Sequence, residues 1–441
     1  MNMNDIIYKK REGNSLAKEE IEYFINGYVK DEIPDYQASA LLMAIYFMQM
    51  DKRETFELTN AMRYSGDTID LSGISGIKVD KHSTGGVGDK TTLIVAPIAS
   101  ACGVPIAKMS GRGLGFTGGT VDKLESIPGF RTSLEPEEFL GQVNDIGISV
   151  IGQTAHITPA DKKLYALRDV TSTVDNFSLI ASSIMSKKLA AGSDAIVLDV
   201  KCGNGAFMEN LSDATVLGNI MTEIGESAGR KTVAVITDMS QPLGKAIGNS
   251  LEVIESIETL KGKGPSDITE LAIYLSAVMI YIGGKADSLE EGRLKAEKVL
   301  ESGEALEKFR EMIVAQGGQG EVIDDYSLFP RHSVQKKILA KDSGYVSEIK
   351  ARNIGLASQH TGAGRATKED DIDLSAGIYL YKKVGDRVVS GDVLATFYGN
   401  DKLKVANAVK EAEKAFIITT KEVECPLLIK KMIGMSDEQK E

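Results

Sequence analysis

The chain has 441 residues, 42% hydrophobic and 26% charged, an ordinary globular balance over a length that calls for two or three domains rather than one simple core. A formal net charge of −12 excludes a protein that wraps nucleic acid or lies on an anionic membrane, because both need a basic surface. Three widely spaced cysteines, Cys102, Cys202 and Cys425, suggest neither a disulfide framework nor a structural zinc site and suit a reducing cytoplasm.

The opening MNMNDIIYKKREGN lacks an apolar stretch of secretion-signal length. From Ser15 to about Arg63, apolar residues recur at helical spacing (Ile21, Phe24, Ile25, Tyr28, then Leu41, Leu42, Ile45, Tyr46, Met48), with a break at Pro34 and Asp35. After Asp67 short apolar runs alternate with helical patterns. They predict strands at Gly76 to Val79, Val104 to Lys108, Ser149 to Ile151, Ala195 to Val200 and Lys231 to Ile236, the texture of an α/β domain with a mainly parallel sheet. Thr158 to Gly192 reads as helical, with Thr158 as a cap and Pro159 in the first turn. This insert is expected to join the N-terminal helices and leave a cleft against the sheet.

The strongest apolar run, Leu271 to Ile282, is too short to span a bilayer and reads as a buried helix. From about Asp324 the pattern turns β-rich, with GD turns that resemble a lipoyl or biotinyl carrier barrel. No M-K-M tip is present, so a structural α+β unit with barrel-sandwich-like β-structure is expected. The expected division is helical over 1–66 and 158–193, α/β over 67–157 and 194–323, and C-terminal α+β over 324–441.

Two loops carry the chemistry. Lys81 to Thr92 places glycines at 85, 86 and 88 between a strand and a helix start, where backbone N–H groups converge on an anion; Lys81, Ser83 and Thr92 add an ammonium and two hydroxyls. Asp89 stands between Gly88 and Lys90, so the Walker A pattern fails. A merely tight turn explains one glycine, not three beside Lys81, His82 and Ser83. The second loop, Lys108 to Thr120, holds a lone G-x-G-x-x-G at Gly113, Gly115 and Gly118, with Glu138 about 20 residues on, which keeps a dinucleotide reading open. Against that reading, Lys108, Ser110, Arg112, Thr117 and Thr120 make this loop an anion binder too. Two such loops on adjacent strand ends converge most simply on one small anion, a phosphate or a phosphosugar.

KHSTGGVGDK together with SGRGLGFTGGTVDKLESIPGF closely resembles the signature region of the thymidine and pyrimidine-nucleoside phosphorylases. LYALRDVTSTVDNFSLIASSIMSKK, LDVKCGNGAFM and MSQPLGKAIGNSLEVIE extend the resemblance along the chain. It implies a pentosyltransferase in which phosphate attacks a pyrimidine nucleoside with inversion, giving free base and an α-pentose 1-phosphate. The implied phosphate ligands are Lys81, Ser83, Thr92, Lys108, Ser110 and Thr120; the implied base-binding residues are Tyr165, Arg168, Ser183 and Lys187. His82 stands between them as the group that protonates or hydrogen-bonds the leaving base, with a pKa near neutrality suited to either role. Tyr165 and Arg168 are three apart and Ser183 and Lys187 four, so each pair shares a helix face. Closure of the two domains over the substrates would exclude water.

The resemblance also implies a homodimer through the helical domain and a K⁺ near the first loop, with Gly88, Lys90, Leu243, Ala246 and Glu255 as ligands. Relatives carry Thr where this chain has Lys90; a carbonyl ligand survives that change, but an ammonium beside it weakens the site. Lys108 stands where thymidine-restricted members carry Met, which implies that uridine is accepted alongside thymidine and deoxyuridine. The competing readings are a thymidine-restricted phosphorylase, an anthranilate phosphoribosyltransferase-like enzyme and a non-catalytic nucleoside sensor.

Overall fold

The structure, a computed structural model, describes residues 1–435 except 114, 117, 155 and 366–369. Four helices open the chain: α1 (Met3–Arg11), α2 (Lys18–Val29), α3 (Asp35–Met48) and α4 (Lys52–Arg63). Pro34 sits at the N-cap of α3, where its missing N–H costs no helical bond. Asp51 and Glu54 form a capping box on α4. The Glu54 carboxylate also takes the buried Lys10 ammonium at 2.8 Å, tying α1 to α4.

The middle of the chain runs β1 (Val79–Ser83), α5 (Thr91–Ala101), β2 (Ile106–Ser110), α6 (Thr120–Leu124), α7 (Pro136–Ile146), β3 (Ile148–Gly152), α8 (Pro159–Asp169), α9 (Phe177–Ala190), β4 (Ala195–Cys202), α10 (Leu211–Ser227), β5 (Lys231–Asp238), β6 (Ala246–Gly248), α11 (Ser250–Leu260), α12 (Ser266–Ile282), α13 (Leu289–Glu301) and α14 (Glu304–Ala315). β1, β4 and β5 pair in parallel, and β2 and β3 form a separate parallel pair. Every residue of β4 is buried, as a parallel strand covered on both faces requires. The first strand begins where it was expected to end. Lys81, His82 and Ser83 therefore lie on β1 itself, polar residues at a strand end that an apolar-run reading passes over.

As expected, the insert packs with the N-terminal helices: Ala160, Leu164 and Leu179 join their core. α9 also faces the other way, with Ala181, Met185 and Leu189 against β4, β5 and α10. This double burial holds Ser183 and Lys187 at the junction of the two cores. Pro159 occupies the first turn of α8, but Thr158 caps by position only: it adopts φ 48° and its side chain makes no capping bond. α12 is buried along most of its length, and no helix among the described residues is long and apolar enough to cross a membrane.

The tail adds β7 (Val334–Leu339), β8 (Gly344–Ile349), α15 (Ala351–Ser358), β9 (Gly377–Leu380), β10 (Arg387–Val388), β11 (Val393–Gly399), α16 (Lys402–Ala412), β12 (Phe416–Thr419) and β13 (Ile429–Ile433). Its two small sheets have the orders β10-β8-β12 and β6-β9-β11-β7. The tail is not self-contained. β6, which precedes α11, pairs with β9, and β13 returns to pair antiparallel with β5, covering an edge of the central sheet that would otherwise expose unpaired backbone groups.

Candidate active site

A cavity of about 390 Å³ opens where the carboxyl ends of β1 and β2 meet α8 and α9. His82, Ser83, Thr92, Lys108, Ser110 and Thr120 line one side; Tyr165, Arg168, Ser183 and Lys187 line the other.

The first loop turns on Gly85 and Gly88, at φ 93° and 73°, values that an L side chain adopts only with strain. The Ser83 hydroxyl donates to Asp89 and accepts the Gly85 N–H at 3.2 Å. Asp89 also accepts the Thr91 hydroxyl at 2.6 Å. Burial works against its charge, but Lys81, Lys201 and Lys123 outweigh that and hold its carboxyl well below the usual range. Lys81 is the exception among the expected phosphate ligands. Its ammonium donates to the Thr91 hydroxyl, lies 3.4 Å from Asp199, and does not line the cavity. Two buried aspartates and the helix start draw it beneath the loop, so it braces the anion site from behind.

Lys108 does reach the cavity wall. It is 4% exposed and donates to Asp80 at 3.1 Å and to the Lys81 carbonyl at 2.5 Å. Burial lowers its pKa to about 8, and Lys188 and Lys81 add to the effect against the pull of Asp80. Asp80 is shared: Lys188 donates to its other oxygen at 2.7 Å, and the two ammoniums overcome burial to hold its carboxyl at about 2. His82 stands beside this cluster with its buried Nε2 unpartnered. Burial, then the Lys188 and Lys108 charges, push its pKa well below the ordinary value. The expected near-neutral pKa is therefore corrected: the free site holds a neutral imidazole, suited to hydrogen-bonding rather than to supplying a proton at neutral pH.

In the second loop Arg112 is tied to Glu125 at 2.7 Å and to Asp122 at 3.1 Å. Thr117 lies outside the described residues. The dinucleotide reading loses its parts: α6 is only five residues long, and the Glu138 carboxylate is engaged by exposed Arg131 and does not line the cavity.

On the opposite wall Lys187 donates to Ser183 at 3.1 Å and to Asp161 at 2.5 Å, so the four-residue spacing brings that pair together as expected. The Arg168 guanidinium lies 5.8 Å from the Tyr165 ring centroid. It also donates to the carbonyls of Thr173 (3.1 Å), Leu179 (3.1 Å) and Val174 (2.6 Å). Arg168 thus both lines the cavity and ties α8 to the start of α9; burial lowers its pKa to about 10.

Three family models match the chain: the glycosyl transferase family helical bundle domain over residues 4–66, the glycosyl transferase family a/b domain over 75–306, and the pyrimidine nucleoside phosphorylase C-terminal domain over 345–419. A pyrimidine-nucleoside phosphorylase of Geobacillus stearothermophilus is 56% identical over 97% of this chain and 99% of its own length. One from Bacillus subtilis is 59% identical over 91% of this chain and 92% of its own. The chain belongs to the pyrimidine-nucleoside phosphorylase family. Among solved structures, the anthranilate phosphoribosyltransferase of Thermus thermophilus superposes with a TM-score of 0.58 at 20% identity, covering 70% of this chain and 98% of that one. That likeness is one of fold alone.

Within this family fold, several cavity residues escaped the sequence reading. Lys188 follows Lys187 directly, and neighbours on a helix point about 100° apart, so one faces the base side and the other reaches Asp80. Asp80 and Asp89 read as neighbours of ligands rather than as their anchors. Phe207, Met208, Ile157, Ile180 and Ile184 add apolar lining that the sequence reading did not single out.

The residues expected around K⁺ come together, with one consequence. The Lys90 ammonium lies 3.0 Å from the Leu243 carbonyl and 2.6 Å from Glu255 Oε2. Glu255 Oε1 accepts the N–H groups of Lys245 and Ala246 at 3.0 Å each, and the Gly88 carbonyl accepts the Lys90 N–H at 3.0 Å. A separate K⁺ does not fit this donor set, because its formal negative charge and the Leu243 oxygen already serve an ammonium.

Proposed function

We propose that the chain catalyses reversible phosphorolysis of pyrimidine nucleosides. The observation that carries this reading is a single cavity with buried lysines and glycine-loop donors on one wall and Arg168, Ser183 and Lys187 on the other, in a chain whose relatives bear that activity in their names. A phosphate held by Ser83, Thr92, Lys108, Ser110 and Thr120 attacks C1′ from the face opposite the base. The C1′–O bond forms as the C1′–N1 bond breaks, and the electron pair leaves on the pyrimidine. Arg168 and Lys187 stabilise that developing charge, which is absent in the ground state. Neutral His82 hydrogen-bonds the departing base, whose anion then takes its proton from solvent, and the products are the free base and an α-pentose 1-phosphate.

Lys108 supports the wider substrate range, since its ammonium can serve both the phosphate and a ribose 2′-OH; uridine, thymidine and deoxyuridine are then all substrates. A homodimer through the helical domain is supported by the exposed apolar residues of α3, Tyr36 and Phe47 at 73% and 70% exposure with Met43 and Met48 on the same helix, side chains that a second copy would cover. Free cysteines at 102, 202 and 425 suit the cytoplasm.

The test is incubation with uridine or thymidine, with and without phosphate, following base release. Phosphate-dependent release of both bases is expected. Release that ignores phosphate would refute phosphorolysis, and saturable binding without release would make the chain a nucleoside sensor. Lys108→Met should lower uridine turnover more than thymidine turnover; equal losses would remove the specificity argument. Sedimentation at micromolar concentration should show a dimer.

A further inference from the structure

The oxygens around Lys90 form a closed seat. The side chain of Lys90 is fully buried, and its ammonium touches Leu243 and Glu255 at 3.0 and 2.6 Å. The backbone is moulded to that seat. A Cβ on Gly88 would meet the Leu243 carbonyl at 2.5 Å and the Ala246 carbonyl at 3.3 Å; one on Gly244, at φ +66°, would meet Glu255 Oε2 at 2.2 Å and Lys90 Nζ at 2.9 Å. Only glycine at both positions lets the first loop and the 242–246 turn close this tightly around the cation. A second ammonium clamps the same turn from the tail: Lys383 donates to the carbonyls of Pro242 and, at 2.9 Å, Gly244, and to Asp267 at 2.9 Å. An ammonium and a K⁺ are of similar size, and both are satisfied by carbonyl and carboxylate oxygens.

We propose that the Lys90 ammonium is the resident monovalent cation of this chain, joining the first glycine-rich loop to the 242–246 turn and Glu255 in place of a dissociable K⁺. A bound ion stabilises a fold by mass action and is lost on dilution. A tethered one is always present, so neither the order of the loop nor the stability of the fold responds to K⁺ concentration. The inference concerns the loop's cation and stands apart from which nucleoside the cavity accepts.

The experiment compares thermal unfolding midpoints in KCl and choline chloride at equal ionic strength, for the natural chain and for Lys90→Thr, which withdraws the ammonium and leaves room beside Leu243 and Glu255. The natural chain should unfold at the same midpoint in both salts and turn over substrate equally in both. Lys90→Thr should unfold lower in choline chloride and recover saturably with KCl, with thallium(I) as a spectroscopic stand-in binding the variant and not the natural chain. A K⁺-specific rise in the midpoint of the natural chain would overturn the proposal. So would a folded Lys90→Thr that ignores K⁺, since the oxygens would then not be a cation seat. If Lys90→Thr folds in neither salt, the two-salt comparison on the natural chain still decides.

Discussion

Two buried clusters of lysines and carboxylates lie on either side of the first glycine-rich loop, and they are balanced differently. Beneath the cavity, Lys81, Lys108, Lys188 and Lys201 face Asp80, Asp89 and Asp199, four positive charges against three negative. On the far side, Lys90, Lys123 and Lys383 face Glu255, Glu252 and Asp267 one to one. One lysine in each cluster shows the difference. Burial alone pulls any lysine down; Lys108 stays down, at about 8, whereas at Lys90 the charges of Glu255 and Glu252 overcome burial and raise it. A cluster with a surplus cation is unfinished until an anion arrives, and a neutral one is a clasp. The same residue types thus make a binding site in one place and a structural joint in the other.

Removing a carboxylate from each cluster should separate the two roles. Asp80→Asn leaves Lys108 and Lys188 without their shared partner, and Glu255→Gln leaves Lys90 without its carboxylate. Each should cost about 3–5 kcal/mol in urea unfolding, the usual cost of breaking a buried pair. Phosphate should then stabilise Asp80→Asn by more than it stabilises the natural chain, because the ligand also supplies the missing charge, and stabilise Glu255→Gln only as much as the natural chain. Equal rescue of both, or of neither, would dissolve the distinction. The pH sign agrees: Asp80 titrates at about 2 when folded against about 3.9 in a free chain, so its contribution is complete above about pH 4 and is lost as the pH falls toward 2.

The next effect lies across the cavity. Lys187→Met should lower kcat/KM for uridine by about 10²–10³-fold, the cost of losing one preorganised group aimed at developing charge, with the KM for phosphate unaltered. A loss that appeared instead in the phosphate KM would place Lys187 in the anion cluster with Lys188.

These two adjacent lysines show what could be read from the sequence. Glycine positions, the strand-helix alternation and the helical insert were visible because turns demand glycine and buried faces demand periodicity; the base-side lining residues Tyr165, Arg168, Ser183 and Lys187 came only through the family resemblance. Partner assignments were not visible. Nothing in DKHS says that Lys81 turns under the loop toward Asp199 while Lys108, 27 residues later, takes the cavity wall; that division is set by which carboxylates β1 and β4 place side by side. Nor does the apolar pattern of the tail reveal that β13 pairs with β5, a contact between distant parts of the chain that local sequence does not encode. Lys90 was legible as an anomaly, and its geometry explains it.

The surplus charge also predicts a pH profile. With Lys108 titrating at about 8 in the free site, kcat/KM for phosphate, which reports the free enzyme, should fall above pH 8 by about tenfold per pH unit as the ammonium is lost. Lys108→Met should remove that limb while lowering the plateau. A limb that persists in the variant would belong to another group.

The smallest effect is an absence. An imidazole that acted by donating a proton at its ordinary pKa of about 6.5 would impose a fall in kcat/KM for the nucleoside as pH rises through neutrality. His82 is instead held neutral, first by burial and then by Lys188 and Lys108, so the profile between pH 6 and 8 should carry no histidine limb. His82→Gln, which keeps a neutral donor near the unpartnered Nε2 position, should retain activity within about tenfold, whereas His82→Ala should lose on the order of 10². A descending limb near pH 6.5 that disappears in His82→Gln would show that the lysines do not suppress the imidazolium, and the charge tally beneath the cavity would then have to include a further negative group.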